Sequence, residues 1–309
     1  MTVDDLWKLT ARMDSLHLRS GMVHSIRRFF HDLDFIDVET PLLIPAPAPE
    51  EHIEAVPAGK WFLQTSPELC MKRLLAAGYE KIFQIGKCFR KDERGGRHLP
   101  EFTILEWYRA HADYYDLMED CENMVGQIAS DLGMNGLVFP SGRQISLEKP
   151  WGRITVDEAF IRYAGRSVSE TLEKGCFDET LTTAVEPHLG VDRPVFLCDY
   201  PKEMAALARL KEGAPERAER FELYMGGMEI ANAFSELTDP LEQSLRFREA
   251  SRKRAQAGYA AYPEPEPFLR ALSHMPPSAG IALGVDRLAM LFTGRELIDD
   301  VVAFTPEML

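Results

Sequence analysis

The hydrophobic positions change rhythm several times along the 309 residues. Between Asp14 and His31, apolar residues fall at Leu18, Met22, Ile26, Phe29 and Phe30, the spacing of one helix face, with Asp14 or Ser15 available as N-cap. Phe35–Pro41 then reads as a short strand stopped by proline. Lys60–Thr65 is a strand candidate, and Ser66-Pro67-Glu68 opens a helix, with Ser66 as N-cap and Pro67 at the first helical position. Lys81–Phe89 and Phe102–Arg109 are rich in aromatic and β-branched residues and short enough to be the strands of a long-looped hairpin, with Gly95-Gly96 supplying the turn. Helices are predicted over Tyr115–Leu132, Thr155–Tyr163 and Asp178–Val185, a turn over Pro140–Gln144, and a buried strand over Val195–Cys198. Gly226-Gly227 fits a two-residue hairpin turn, and Asp239-Pro240 begins a charged helix that runs to about Ala257. Gly280, Ala282 and Gly284 alternate on one face of a strand that leads into a helix starting at Asp286.

Polar residues that interrupt these rhythms carry the candidate chemistry. In the hairpin, period-two alternation puts Phe102, Ile104, Glu106 and Tyr108 on one face and Thr103, Leu105, Trp107 and Arg109 on the other. A mid-strand carboxylate among aromatic residues is costly to bury unless it meets a cation. The loop carries Arg90, Lys91, Arg94, Arg97 and His98, enough positive charge for a polyphosphate. In the second hairpin Tyr224 stands opposite Glu229, and Glu222 is its diagonal neighbour at ~7–8 Å, so the two carboxylates repel unless a cation lies between them. Hard oxygen ligands beside a phosphate suit Mg²⁺. Simple alternation leaves Glu229 on the face opposite Asn232 and Glu236. A bulge near Ala231–Ala233, or a helix from Met228 to Leu237, would bring the three together. The small residues at Gly280, Ala282 and Gly284 leave room for something flat, and Arg287 in the first turn after them strengthens anion binding at a helix N-terminus. The cations of the later helix, Arg246, Arg248, Arg252, Lys253 and Arg254, read as a solvated face.

Composition narrows the class. Residues are 45% hydrophobic, with no apolar run near the ~20 residues of a membrane helix, and the N-terminal MTVDDLWKLT has no apolar signal core, so a cytoplasmic protein is expected. Five scattered cysteines without a CxxC pair suggest reduced thiols. The net charge of −14 does not favour extensive contact with a nucleic-acid backbone. His17, His24 and His31 share a helix face but stand ~10 Å apart, too far to share a metal.

These pieces, in this order, resemble the class II aminoacyl-tRNA synthetase catalytic domain. They are most similar to its lysine branch: lysyl-tRNA synthetase and the short paralogue that ligates lysine to elongation factor P. Ile26–Pro41 resembles motif 1, Phe83–Tyr108 (FQIGKCFRKDERGGRHLPEFTILEWY) motif 2, and Gly280–Arg287 motif 3, while HLPEFTILEWY and EIANAFSEL are of the lysine type. The resemblance runs from about Leu18 to Phe304. It implies an α+β fold, a mostly antiparallel sheet flanked by helices, in a single catalytic domain spanning residues 1–309. It also implies ATP and Mg²⁺. Carried over, Arg90 holds the ATP α-phosphate and the amino-acid carboxylate, Arg287 the γ-phosphate, and Phe102 stacks on adenine. Asp92, or Glu93 by a shift, His98, Leu99 through its backbone, Ile230 and Gly284 line the nucleotide, and Glu222 and Glu229 bind the metal. Glu106, Tyr108 and Glu236 clasp the substrate's terminal ammonium, Ser66 and Glu68 its other amino group, and Asn232 its carboxylate.

The departures refine the expectation. Leu99 stands where the family has asparagine, Ala233 where it has glycine, and Ala282 where lysyl-tRNA synthetases have glycine. The extra methyl at Ala282 crowds the α-amino group of ordinary lysine, and the ligase paralogue, similar at this position, favours (R)-β-lysine. Too little chain precedes motif 1 for the anticodon-binding barrel, which implies an acceptor other than tRNA. The expected function is therefore ATP-dependent activation of (R)-β-lysine or lysine as an adenylate. Transfer then goes to a lysine ε-amine of elongation factor P, in a homodimer formed through motif 1. The rivals are a lysine-activating paralogue with another acceptor, tRNA or a small molecule, and a silent regulatory paralogue. Retention of Arg90, Glu222, Glu229 and Arg287 together argues against the last.

Overall fold

The structure is a computed structural model that describes residues 3–139 and 141–309. Pro140, the first residue of the predicted turn, lies outside the described residues, as do Met1 and Thr2. A large sheet takes its strands from the whole chain. They are β1 (Ile36–Asp37), β2 (Lys81–Phe89), β3 (Glu101–Ala110), β4 (Gly152–Thr155), β5 (Val195–Pro201), β6 (Leu210–Lys211), β7 (Ala214–Tyr224), β8 (Glu229–Ser235) and β9 (Ser278–Gly284). Their spatial order is β1-β2-β3-β9-β8-β7-β5-β4, with β6 paired to β7. The β1–β2 and β4–β5 pairs are parallel and the rest antiparallel, so the sheet is the mostly antiparallel one expected.

One face of this sheet is closed by helices α1 (Met13–Asp32), α3 (Tyr114–Asp131) and α5 (Val285–Thr293), whose apolar stripes meet the odd-numbered side chains of β3. Met22, Ile26 and Phe30 of α1 are fully buried, and the Phe30 ring stacks on Phe83 at 4.8 Å with Trp107 at 5.2 Å. Leu105 and Trp107 belong to this core, so the inward face of the hairpin strand follows the alternation read from the sequence. A smaller core on the opposite side joins Met71 and Leu75 of α2 (Glu68–Ala76) to Tyr108 and to Phe247 of α4 (Pro240–Gln256).

Several local expectations are corrected. Neither Asp14 nor Ser15 caps α1, which begins at Met13 without a side-chain cap, and Ser15 is buried. Helix α2 starts one residue later than expected, with Pro67 at its N-cap position, although the Ser66 Oγ still accepts from the Glu68 amide at 3.0 Å. The solvated face assigned to α4 does not hold for Arg254. It is buried, its guanidinium donates to the carbonyls of Glu50 and Ile53, and it lies 4.2 Å over the Tyr262 ring. A charge enters the interior here because loop 45–57 offers it carbonyls and Tyr262, beyond the end of α4, an aromatic face. The five cysteines are unpaired.

Candidate active site

The site is assembled by strand register. Glu106 on β3 stands beside Ala282 on β9, Ala282 beside Asn232 on β8, and Asn232 beside Glu222 on β7. Two residues along, Tyr108, Gly280, Phe234 and Arg220 form a parallel row. The Gly226-Gly227 turn is the expected two-residue one: Met225 and Met228 exchange backbone hydrogen bonds, and both glycines have positive φ. The residues after it form a strand, not a helix. The bulge lies at Ile230, earlier than the Ala231–Ala233 expected, because Tyr224 pairs with Glu229 while Leu223 already pairs with Ala231. That single extra residue turns Glu229 onto the face of Asn232 and Glu222. Ile230 itself is buried in the core, so its backbone alone reaches this side.

One end of the face is an acidic pocket. Glu106 is fully buried; its Oε1 accepts from Ser66 Oγ at 2.7 Å and its Oε2 from the Tyr108 hydroxyl at 2.9 Å. Burial, then the neighbouring Glu68, pushes its carboxyl up to about 8. Glu236 is also buried and pushed up to about 8, by burial against the opposing pull of Lys72. Gly280 floors the pocket: a Cβ there would collide with the Tyr108 ring and the Glu236 carboxylate. Ala282 is half-buried between Glu106 and Asn232.

The other end is cationic. Arg90 lies with its guanidinium 5.0 Å over the Phe102 ring, and its Nε is buried without a partner among the described residues. Arg287 donates to the Glu229 carbonyl at 2.9 Å and reaches the Glu229 carboxylate at 3.3 Å and His98 Nε2 at 2.6 Å. Burial and Arg287 lower the pKa of His98, so its ring stays neutral and accepts. Gly95 and His98 close the loop's turn around Gly96-Arg97. Gly284, at the N-cap of α5, is open apart from the Arg287 side chain.

The predicted site residues converge with one exception, Asp92. Asp92 has positive φ and directs an 86% exposed side chain to solvent, whereas Glu93 lies 3.7 Å from Arg90; the shifted alternative is the one placed in the cleft. Leu99 packs its side chain in the core, as an apolar replacement in a loop should. Among the described residues no cluster of three or more His, Cys, Asp or Glu side chains is arranged to hold a metal. The pair Glu222 and Glu229 nevertheless fits Mg²⁺ chemically. Both are carboxylates on one face, burial and then Glu222 raise the Glu229 carboxyl, and a divalent ion would relieve that repulsion.

Residues 5–308 match the family "tRNA synthetases class II (D, K and N)". The chain belongs to this family. It is 38% identical over 317 residues to the elongation factor P--(R)-beta-lysine ligase of Hamiltonella defensa, an alignment that covers 97% of this chain and 98% of the relative. The ligases of the same name from Salmonella arizonae and an Enterobacter species are 39% and 38% identical, again with 97% of each chain covered.

Around this candidate site the structure places further residues that the sequence does not single out. Arg220 is half-buried, donates to Asn232 Oδ1 at 3.1 Å and Glu222 Oε1 at 2.6 Å, and lies 4.3 Å over the Tyr200 ring. It shares period-two spacing with Glu222, the one signal that could have marked it. Glu186, from the middle third, meets the Tyr224 hydroxyl at 3.2 Å, the same hydroxyl that donates to Glu222 Oε2 at 2.7 Å. Glu50 of loop 45–57 is raised by burial and stands within electrostatic reach of Arg90, Glu68 and Arg220. Lys72 is 1% exposed, with Nζ 2.6 Å from Glu68 and 2.5 Å from Glu236. Its signal was the i,i+4 spacing from Glu68, which usually marks a surface pair.

Proposed function

We propose that this chain activates a diamino acid of the lysine type, (R)-β-lysine or lysine, as its adenylate and transfers the aminoacyl group to a lysine ε-amine of elongation factor P. The observation that carries the reading is the division of one sheet face into a buried pocket of carboxylates and a cationic end, joined by the Glu106–Ala282–Asn232–Glu222 row. A substrate with ammonium groups and a carboxylate, lying along that row, presents its carboxylate to the cations that hold ATP. The names of the relatives supply the acceptor.

In this reading Glu106, Tyr108 and Glu236 take the terminal ammonium, Ser66 and Glu68 the second amino group, and Asn232, held by Arg220, the carboxylate. Arg90 bridges that carboxylate and the α-phosphate. Phe102 stacks on adenine, which requires Arg90 to swing off its ring, and Arg287 with His98 receives the terminal phosphates. Glu93 takes the loop role first given to Asp92, while Leu99, Ile230 and Gly284 present backbone to the nucleotide. Glu222 and Glu229 hold Mg²⁺, which when bound neutralises phosphate charge. The substrate carboxylate oxygen attacks the α-phosphorus in line and pyrophosphate leaves. The acceptor amine then attacks the acyl carbon, loses a proton and releases AMP. Positioning and charge neutralisation supply the acceleration without a protein nucleophile.

The chain works as one catalytic unit in a homodimer, in the cytoplasm where a translation factor is found, and tRNA is not its acceptor. The test is pyrophosphate exchange with α-lysine and (R)-β-lysine, followed by the intact mass of elongation factor P. Exchange with a lysine isomer and a mass gain of one lysyl unit support the reading. No exchange with either isomer sinks it, and acylated tRNA beside an unchanged factor mass moves the acceptor.

A further inference from the structure

Lys72 is the one residue of the acidic pocket that the proposed chemistry leaves without a task. A buried ammonium is costly unless it is paired, and here it is paired twice, with Glu68 on its own helix and with Glu236 at the end of β8. Burial alone would lower its pKa; Glu236 and Glu68 outweigh that and raise it, so Lys72 stays charged. The other groups facing the pocket are Glu106 and Tyr108 from β3, with Ser66 beside them, while β9 contributes only the backbone of Gly280. On the far side of Glu68, Glu50 and Arg90 offset each other. The pocket thus holds three carboxyl groups (Glu68, Glu106, Glu236) and one fixed ammonium, an excess of two negative charges once all three are ionised. Glu236 Oε1 has no hydrogen-bond partner among the described residues, so one of its two oxygens remains free.

We infer that Lys72 is a built-in counter-ion and positioning residue, which orients Glu68 and Glu236 and trims the pocket's charge to match a substrate bearing two ammonium groups. The inference rests on the reading of the pocket as the lysine-type subsite. Without Lys72 the carboxyls would ionise only at still higher pH, and the pocket would meet the substrate more fully protonated. With it, the carboxylates stay oriented, and binding strengthens as they ionise.

The readout is the ascending limb of kcat/KM for the lysine substrate against pH, measured by pyrophosphate exchange. Glu106 and Glu236 bind ammonium only when ionised, so in the wild type this limb rises through about 8. Lys72→Met removes the attraction that favours ionisation and should move the limb to higher pH by about one unit, roughly a tenfold loss of kcat/KM at neutral pH. The KM for ATP should stay within about twofold. Glu68→Gln removes the opposing repulsion and should move the limb the other way, to lower pH, whatever its effect on the plateau. A purely structural role for the ion pair predicts no such opposition. Limbs displaced in opposite directions support the inference, and an unmoved limb in either folded variant overturns it alone. If Lys72→Met does not fold, the direction of the Glu68→Gln limb decides. A wild type inactive with every lysine isomer overturns the functional reading itself, and this inference with it.

Discussion

Gly280 and Ala282 face the same cleft from the same strand, yet their side chains matter in opposite ways. At Gly280 there is no room: a methyl would strike the Tyr108 ring and Glu236. Overpacking costs ~1–3 kcal/mol, so Gly280→Ala should raise the KM for lysine roughly ten- to a hundredfold while leaving the KM for ATP near its wild-type value. Equal rises in both constants would show a general distortion. At Ala282 a methyl is already present, half-buried between Glu106 and Asn232. Ala282→Gly should raise pyrophosphate exchange with α-lysine relative to (R)-β-lysine, because the methyl that crowds the α-amino group is gone. An unchanged ratio would move selectivity elsewhere in the pocket. Glu106 and Ala282 could be placed from the sequence because strand alternation is independent of what the strand pairs with. Lys72 could not, because its meaning depends on Glu236, far away in the chain.

The elements differ in the same way. The first hairpin was legible, since turn glycines and period-two patterns are local signals, and its strands lie within a residue of where they were expected; of the second only the Gly226-Gly227 turn was, with a helix left open for the arm that is a strand. The bulge at Ile230, one of two ways to bring Glu229 beside Asn232, lies earlier than the Ala231–Ala233 expected, because its position is fixed by cross-strand register with β7. Helix α4 misled for a related reason: a cation-rich helix looks solvated until loop 45–57 folds over one of its arginines. Arg254→Ala should leave the carbonyls of Glu50 and Ile53 unpaired in the interior, costing ~1–3 kcal/mol and freeing the loop. The checks are a lower thermal midpoint and faster proteolytic cleavage within residues 45–57. An unchanged midpoint and cleavage rate would mean that the tether carries no weight.

At the scale of the molecule, the fold class was legible from three motifs in order, and the match across residues 5–308 agrees with it. The contribution of the middle third was not, because Glu186 meets Tyr224, Glu222 and Arg287 only once distant segments fold together. Assembly also belongs to this scale. Ile36 on the edge strand β1, with Leu42 and Leu43 beyond it, leaves large apolar side chains exposed at one end of the sheet. The homodimer proposed through this segment should give about twice the chain mass of 35.0 kDa by light scattering. Leu43→Asp should shift it toward the single-chain mass, and a wild type already at the single-chain mass would refute the dimer.

The place of β9 in the sheet order bears on how the protein comes into being on the ribosome. Residues 278–284 are wedged between β3, residues 101–110, and β8, residues 229–235, both of which emerge earlier. Until that late segment is available, the nascent chain carries two unsatisfied strand edges facing an open slot, and such edges recruit other chains. The same slot separates Glu106 and Tyr108 of the acidic pocket from Asn232 and Glu236. The arrival of one seven-residue strand closes both edges and brings the helix that carries Arg287 in behind it.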